Sequence, residues 1–393
     1  MLESLARSCT LVIPTFNRPE LLGRLLRYLE LQSAPCPVLV LDSSAPADKS
    51  KNAAAVAAVK LNVTCIEYDP ALPPFAKFLE GMRVVDTPFM SLCADDDVVV
   101  VPALAEIVDF MERNEDYSVA HGYYFNFLDE NHRAGKSDVA ADSQKAKPVT
   151  KITSLFYHSP SLNDADPFER LIQFFRRYEA LTYGVYRTPV AREVYELAQP
   201  VASILARELL TGALTVAAGK TARLKTIYYG RNTGPSARYK NWHPLEWLAT
   251  DPSGLFGEYM HYRSVLKDYL VRHNAERTEQ EVARLIDLIH LRYLIPFLRP
   301  DFLDFVLRKN LEKLTPEQMV PEVWKYWNQP PRQGWRARIS MLPSSRAVNR
   351  KHRRYLFQPG FLQAGPAHEV RVTDKEIDAV VNCLSAYSLT AAA

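Results

Sequence analysis

The chain has 393 residues, so it is longer than one ordinary hydrophobic core needs and long enough for two. Its 47% hydrophobic and 24% charged residues are typical of a soluble globular protein, and a net charge of +3 gives no general attraction to nucleic acid. The apolar runs are far shorter than the ~20 residues of a membrane span, and the first residues lack the basic and apolar sections of a signal peptide. Five cysteines without a Cys-x-x-Cys pair indicate reduced thiols. We therefore predict a cytoplasmic protein without a nucleic-acid partner.

Strand and helix signals alternate over the first hundred residues. Four short apolar runs predict strands at 9–14, 38–41, 63–68 and 89–93. Helical periodicity lies between them at 21–29, 53–59 and 75–85. This spacing predicts βαβ units and a mostly parallel sheet. Ligands of such sheets bind beyond the carboxyl ends of the strands, which is where the chain places polar residues: Thr15, Asn17, Asp42, Asp69 and Asp95 to Asp97.

The remainder of the chain divides into a loop, a mixed section and a helical section. Residues 133–166 are polar and irregular, which predicts a loop or insertion over the site. The mixed section predicts helices at 167–178, 190–197 and 204–218, and strands at 181–186 and 224–229. After about Asn241 the pattern is nearly all helical, with a break at Pro296 and Pro300 and a last helix from about Asp374. We predict two units, residues 1–235 and a helical extension over 236–393 that contains a basic segment, 332–354.

Three aspartates, Asp95, Asp96 and Asp97, follow the fourth predicted strand. Adjacent carboxylates repel one another, and Mg²⁺ or Mn²⁺ relieves the repulsion because both ions prefer oxygen ligands that they can share with phosphates. Carboxylates at i and i+2 of an extended chain lie on the same side, so one could hold metal while another binds ribose hydroxyls. An ordinary turn or helix cap is the alternative. The position at the end of a strand favours the metal site.

Asp42 ends the second predicted strand and precedes Ser43 and Ser44. Its carboxylate could hydrogen-bond the base or ribose of a nucleotide. It could equally close an Asx turn onto the serines. The residues by themselves leave both interpretations open.

Three segments in order resemble the family-2-type glycosyltransferases with the GT-A fold. They are similar to the family's opening strand and turn, its nucleotide-binding second strand and its metal-binding DxD strand end, and comprise Leu11 to Glu20 (LVIPTFNRPE), Val38 to Asp42 (VLVLD) and Phe89 to Asp97. The helix at 75–85 also resembles the family's, with Lys77 where a donor contact often sits. The resemblance covers about residues 9–230. It departs from the family after the second strand, where the frequent Asp-Asp-Gly-Ser is replaced by Asp42-Ser43-Ser44.

The resemblance implies an α/β, GT-A (Rossmann-like) nucleotide-sugar-binding domain followed by a mostly α-helical region. The implied activity is inverting transfer of a sugar from a nucleoside-diphosphate sugar to a hydroxyl acceptor. The residues implied to line the nucleotide are Pro14, Thr15, Asn17, Arg18, Asp42, Lys77, Asp95 and Asp96. Asp95 and Asp97 are the implied ligands of Mn²⁺ or Mg²⁺, with Asp97 the principal one.

The family also places a catalytic base at the start of a helix after a strand that Tyr183 to Arg187 resembles. Glu208 takes that position, although Arg207-Glu208 stands where the family usually has Glu-Asp. An inverting transfer needs one carboxylate to accept the proton of the acceptor hydroxyl. The alternative for Glu208 is an exposed helical glutamate paired with Arg207.

The resemblance suggests a glycan, a lipid-linked molecule or another hydroxyl compound as acceptor, in the synthesis of a bacterial surface polysaccharide or glycoconjugate. The basic segment 332–354 could bring the protein to anionic lipids at the inner face of the membrane, or could be a solvated linker. Two other functions remain open. A sugar-nucleotide nucleotidyltransferase needs a Gly-rich loop that Phe16 to Pro19 do not provide, and a non-catalytic carbohydrate-binding or scaffold protein could share the fold. The sugar, linkage and oligomeric state do not follow from the sequence.

Overall fold

A computed structural model describes residues 2–129, 150–155, 159–232, 244–274, 276–295, 300–312, 314–328, 362–363 and 369–370. The strands, in chain order, are β1 (Cys9–Thr15), β2 (Val38–Asp42), β3 (Val63–Glu67), β4 (Phe89–Leu92), β5 (Val98–Val99), β6 (Tyr117–Asp129), β7 (Thr150–Leu155), β8 (Val185–Arg187), β9 (Lys220–Asn232), β10 (Leu362–Gln363) and β11 (Glu369–Val370). The helices are α1 (Leu2–Ser8), α2 (Pro19–Leu31), α3 (Pro46–Ala57), α4 (Pro74–Arg83), α5 (Val101–Arg113), α6 (Pro167–Arg176), α7 (Thr188–Leu197), α8 (Ile204–Ala218), α9 (Pro244–Thr250), α10 (Pro252–His273), α11 (Glu279–Leu294), α12 (Pro300–Leu311) and α13 (Pro316–Asn328).

Within these ranges, β1 to β9 form one sheet in the order β3-β2-β1-β4-β8-β6-β9-β5, with β7 beside β6. The first four strands are parallel, and Thr15 at the end of β1 lies opposite Asp42 at the end of β2. Beyond β4 the sheet is mixed, because β8 runs antiparallel to β4 and β6 and β5 runs antiparallel to β9. The mostly parallel sheet predicted from the first hundred residues is therefore correct for β1 to β4, whereas the strands after β4 include both antiparallel and parallel pairs. Strand β5 follows β4 through a turn, without a crossover helix, and lies at the opposite edge of the sheet from β3, beside β9.

Side chains that alternate along the strands of the sheet pack into two hydrophobic layers. Leu11 and Ile13 of β1 pack on the side that holds α2 and α5, whereas Val12 between them packs on the opposite side. The second layer contains buried side chains of α4, α6, α7 and α8. Ile286 of α11 and Leu266 of α10 belong to that same layer, so the helical region packs directly against the sheet domain.

Several predictions of local structure need correction. Residues 133–166 include strand β7, which pairs with β6 and is not part of a loop. The strand predicted at 181–186 is restricted to Val185–Arg187. Helix α5 and the long strand β6 were not predicted. Helices α9 to α13 confirm the mostly helical C-terminal region, and the break predicted at Pro296 lies between α11 and α12. The basic segment 332–354 and the helix predicted from Asp374 lie outside the described residues.

Among the described residues, every helix falls short of the combined length and apolar character that crossing a lipid bilayer demands.

Candidate active site

The turn after β1 is held in a conformation that few residues adopt. Asn17 has φ of 54°, in the left-handed region, which asparagine tolerates better than most side chains. Two hydrogen bonds to the next strand end fix it: the Asn17 backbone N–H donates to Ser44 Oγ, and the backbone N–H of Ala45 donates to Asn17 Oδ1, both at 2.8 Å. The turn leaves Phe16 exposed and Pro14 half-buried, and directs Arg18 to the carboxyl edge of the sheet.

Asp42 is buried at this edge, with its carboxylate engaged by the protein itself. The backbone N–H of Ser44 donates to one carboxylate oxygen, and Asn52 Nδ2 donates to the other, each at 2.8 Å. The first bond closes the Asx turn that the sequence offered as an interpretation. Asp42 therefore shapes the turn between β2 and α3, and its contact with a nucleotide stays a prediction.

Lys77 comes from α4 and lies under the ends of β1 and β2. Helix α4 approaches β2 closely because Gly81 has no side chain, and a Cβ there would clash with Leu41. Lys77 Nζ donates to the backbone oxygen of Thr15 and to Ser43 Oγ, both at 2.8 Å. Burial lowers the pKa of Lys77 to about 8, against the opposing effect of the Asp95 and Asp42 charges. The ammonium group thus joins the two turns that frame the edge.

Asp95, Asp96 and Asp97 occupy a turn after β4, called the acid turn below, so the extended conformation assumed for them is wrong. The backbone N–H of Asp97 donates to the oxygen of Ala94 at 3.1 Å. Asp95 and Asp97 are bound by different strands, β1 and β9. Asp95 accepts from Thr15 Oγ1 at 2.8 Å, whereas Asp97 accepts from the Tyr229 hydroxyl at 2.9 Å and from the backbone N–H of Asn232 at 2.8 Å.

Two arginines compensate the charge of this turn. Arg18 places one guanidinium nitrogen 3.2 Å from an oxygen of Asp95 and 3.2 Å from an oxygen of Asp96. Arg24, which is buried, donates to the backbone oxygen of Asp96 at 2.7 Å. Burial, followed by the charge of Asp96, raises the pKa of Asp95 to about 6 and also raises the pKa of Asp97.

The aspartates suit a divalent cation by their chemistry. Their carboxylate oxygens are the hard ligands that Mg²⁺ and Mn²⁺ prefer, and a cationic side chain, Arg18, already bridges Asp95 and Asp96. In the part of the chain that the structure describes, no three acidic, histidine or cysteine side chains are arranged around one point as cation ligands. A cation at this turn would therefore have to share or replace the contacts of Arg18.

Glu208 lies in the first turns of α8 and is partly exposed. The hydroxyl of Tyr178 donates to Glu208 Oε1 at 2.9 Å. Burial raises the pKa of Glu208, while the Tyr178 hydrogen bond and the charge of Arg231 act in the opposite direction. The alternative pairing with Arg207 is wrong, since the Arg207 guanidinium donates to the backbone oxygens of Val201 and Gln199.

Two residues that the sequence interpretation missed connect Glu208 with the acid turn. Tyr183 lies within electrostatic range of both Asp97 and Glu208, and so does Arg231 of β9, whose guanidinium lies 5.8 Å from the centre of the Tyr183 ring. Tyr183 enters the sequence interpretation only as the start of a strand, and no sequence motif points to Arg231, because β9 reaches this site through its pairing with β5 and β6.

Comparison with known protein families shows which family the sequence around these residues matches. The model described as glycosyl transferase family 2 matches residues 10–170, which include the β1 turn and the three aspartates. The chain carries a glycosyl transferase family 2 domain. The predicted α/β fold and the predicted transferase class are therefore confirmed. No curated protein matches the sequence.

Solved structures similar to this chain share little of its sequence. S. aureus TarS, residues 1–349, is 14% identical with a TM-score of 0.46, and the alignment covers 73% of this chain and 72% of that one. The same protein in complex with UDP-GlcNAc is 15% identical with a TM-score of 0.44, covering 68% and 73%. The mannosyltransferase PcManGT from Pyrobaculum calidifontis, in complex with GDP-Man and Mn²⁺, is 11% identical with a TM-score of 0.40, covering 82% and 88%.

Proposed function

We propose that this protein transfers a sugar from a nucleoside-diphosphate sugar to a hydroxyl acceptor, with inversion and with a divalent cation. The family match supports glycosyl transfer. One observation carries the finer proposal: Tyr183 and Arg231 each lie within electrostatic range of Asp97 and Glu208. A carboxylate with a raised pKa and an acid turn suited to a cation thus belong to one site, although they are far apart in the chain.

The residues at the carboxyl edge divide between the donor and the cation. We assign the nucleotide to the turns of β1 and β2 and to the acid turn: Pro14, Thr15, Asn17, Arg18, Asp42, Lys77, Asp95 and Asp96. We assign Mn²⁺ or Mg²⁺ to Asp97 and Asp95. When bound, the cation would neutralise the developing charge of the diphosphate leaving group.

Glu208 acts in this proposal as the general base. Its carboxylate accepts the proton of the acceptor hydroxyl while that oxygen forms a bond to the anomeric carbon and the bond to the diphosphate breaks. The hydrogen bond from Tyr178 fixes one carboxylate oxygen, so the other remains available for the acceptor. A raised pKa suits a general base because the proton affinity of the Glu208 carboxylate comes closer to that of the acceptor oxygen.

The acceptor and the cellular setting are proposed more broadly. We propose a glycan or lipid-linked acceptor, in the synthesis of a bacterial surface glycan. The basic segment 332–354 would contact anionic lipids at the inner face of the membrane, which its eight Lys or Arg residues without an acid support. The family match favours this transfer over nucleotidyl transfer and over a non-catalytic role.

Replacement of Asp97 tests the cation. Asp97→Ala should abolish Mn²⁺-dependent donor binding while the fold is kept, because a cation ligand is lost. Calorimetric titration of a panel of nucleotide sugars, with and without Mn²⁺, measures this; Asp109→Ala on α5 is the matched control. Unchanged Mn²⁺-dependent affinity in Asp97→Ala would refute the assignment.

Replacement of Glu208 tests the base. Glu208→Gln keeps the size of the side chain and should keep donor affinity, but transfer should fall by about 10²–10⁴-fold, the typical contribution of general base catalysis. Product formation with the donor found in the panel measures the loss. Glu193→Gln on α7, where the side chain is exposed, should leave turnover unchanged. Near-normal turnover of Glu208→Gln would remove this residue from the mechanism.

A further inference from the structure

Two arginines of the same helix region meet the acid turn in different ways. The guanidinium of Arg24 is buried, and its bond of 2.7 Å to the Asp96 backbone oxygen has the length of a strong hydrogen bond. Arg18 keeps 28% of its side chain exposed, and its two contacts with Asp95 and Asp96 are 3.2 Å long. Charge-assisted bonds between such groups are usually about 2.7–2.9 Å. Arg24 is therefore a buried support of the turn, whereas Arg18 contacts the two carboxylates from a partly exposed position.

Arg18 lies where its side chain can change partners while the backbone of the turn after β1 keeps its hydrogen bonds. Arg18 is the residue before α2, and the contacts that fix the turn are made by its neighbour Asn17 through Ser44 and Ala45. The backbone is thus held independently of the guanidinium. The long side chain can leave the carboxylates while the turn stays in place.

We infer that Arg18 competes with the divalent cation for Asp95 while no donor is bound, and passes to the diphosphate of the donor when the cation and the donor bind. This inference rests on the function proposed above. One guanidinium now balances two carboxylates, Asp95 and Asp96. A divalent cation on Asp95 and Asp97 would share Asp95 with Arg18 and repel it, and phosphate oxygens offer the guanidinium a fork-shaped partner that it binds well.

Such an exchange makes the cation and the nucleotide depend on each other. Without nucleotide, the cation competes with Arg18 for the carboxylate of Asp95 and binds weakly. With nucleotide, Arg18 has a new partner, so the competition ends and the cation binds more tightly. The two ligands are therefore coupled, and by thermodynamic linkage each strengthens the other by the same factor.

The experiment compares Arg18→Gln with wild type and with Arg27→Gln. Arg27 lies on α2 and is mostly exposed, and its partner is Glu30, so the control makes the same charge change away from the acid turn. Binding of Mn²⁺ alone is measured from the electron paramagnetic resonance signal of free Mn²⁺. Binding of UDP and of GDP at saturating Mn²⁺ is measured by calorimetry, and thermal unfolding reports that each variant is folded.

Arg18→Gln should change the affinity for Mn²⁺ alone and the affinity for nucleotide in opposite directions. Arg18→Gln should bind Mn²⁺ alone about fivefold more tightly, the factor expected for loss of a partly exposed ion pair. It should bind the nucleoside diphosphate about tenfold more weakly at saturating Mn²⁺, because a charged hydrogen bond to phosphate is lost. Arg18→Lys keeps the positive charge but lacks the forked guanidinium. Its affinities for Mn²⁺ and for the nucleoside diphosphate should therefore lie between those of wild type and Arg18→Gln.

Mn²⁺ affinity that is unchanged or weaker in Arg18→Gln, with wild type still binding nucleotide and Mn²⁺ together, would overturn this inference alone. If wild type binds none of the nucleotide sugars of the panel in a Mn²⁺-dependent way, the proposed function and the inference are both overturned.

Discussion

At the scale of single residues, the environment of Glu208 sets the pH below which the proposed base is protonated. Burial raises the pKa of Glu208, and the Tyr178 hydroxyl, which donates to the charged carboxylate, lowers it again in part. The base works only when deprotonated. Activity is therefore present above the pKa of Glu208 and lost as the pH falls through it, at a higher pH than for an ordinary glutamate.

Removal of the Tyr178 hydroxyl should shift the pH at which activity is lost on the acidic side. Tyr178→Phe takes away a donor that favours the charged carboxylate, so the pKa of Glu208 should rise further. The acidic limb of kcat/KM should shift upward by about one pH unit, the equivalent of one hydrogen bond to a charged group. Initial rates measured across the acidic and neutral range give the profile.

A matched variant separates this effect from general loss of a buried tyrosine hydroxyl. The hydroxyl of Tyr259 donates to Asp287 at 2.8 Å in the helical region, so Tyr259→Phe makes the same chemical change elsewhere. Its pH profile should coincide with that of wild type. An acidic limb that stays in place in Tyr178→Phe would contradict the role assigned to this hydrogen bond.

At the scale of elements, α2 is defined by strong signals at both ends. Pro19 occupies its first turn, where the missing N–H is not needed, and the left-handed Asn17 precedes it. At the other end, Ser33 has φ of 52°, with hydrogen bonds from its N–H to Glu30 and from the Ala34 N–H to Leu29. This is the pattern of a Schellman motif, in which glycine is usual at the position of Ser33.

Ser33→Gly should therefore stabilise the protein. Glycine adopts the left-handed conformation without the cost of about 1 kcal/mol that a side chain imposes there, although it also loses more chain entropy on folding. We expect a net gain of about 0.5 kcal/mol in the free energy of unfolding, measured by urea denaturation. Ser33→Ala keeps the Cβ and should not stabilise. A lower urea midpoint for Ser33→Gly would contradict this account of the helix end.

At the scale of the whole molecule, the helical region and the sheet domain share a hydrophobic layer. Val282, Ile286 and Ile289 of α11 are buried in the same cluster as Phe174 of α6 and Leu210 of α8. The ion pair of Arg277 with Asp166, 3.0 Å long, adds a link at the surface. The two units predicted at 1–235 and 236–393 thus meet through apolar packing, which favours unfolding as one body.

Truncation of Ile286 tests that coupling. Ile286 is fully buried, so Ile286→Ala should lower the free energy of unfolding by about 2–5 kcal/mol. Near-ultraviolet circular dichroism and the loss of nucleotide binding should give the same, lower midpoint. Leu288→Ala on the exposed face of α11 should change stability by less than about 0.5 kcal/mol. Two separate transitions, with only one affected, would show that the units unfold independently.

The sequence by itself determined the alternation of β1 to β4 with their helices, the edge where polar residues gather and the helical character of the later part. These follow from local signals, namely side-chain periodicity, prolines at helix starts and polar residues at strand ends. The Asx turn at Asp42 was also within reach, because it joins neighbours in the chain.

Only the tertiary structure decided the contacts that give the site its chemistry. Arg18 on Asp95 and Asp96, Tyr229 on Asp97 and Tyr178 on Glu208 join residues that are distant in sequence. The mixed half of the sheet likewise depends on β8 and β9 pairing with partners far along the chain. Such contacts have no local signature, since they exist only when burial of the whole hydrophobic layer brings the elements together.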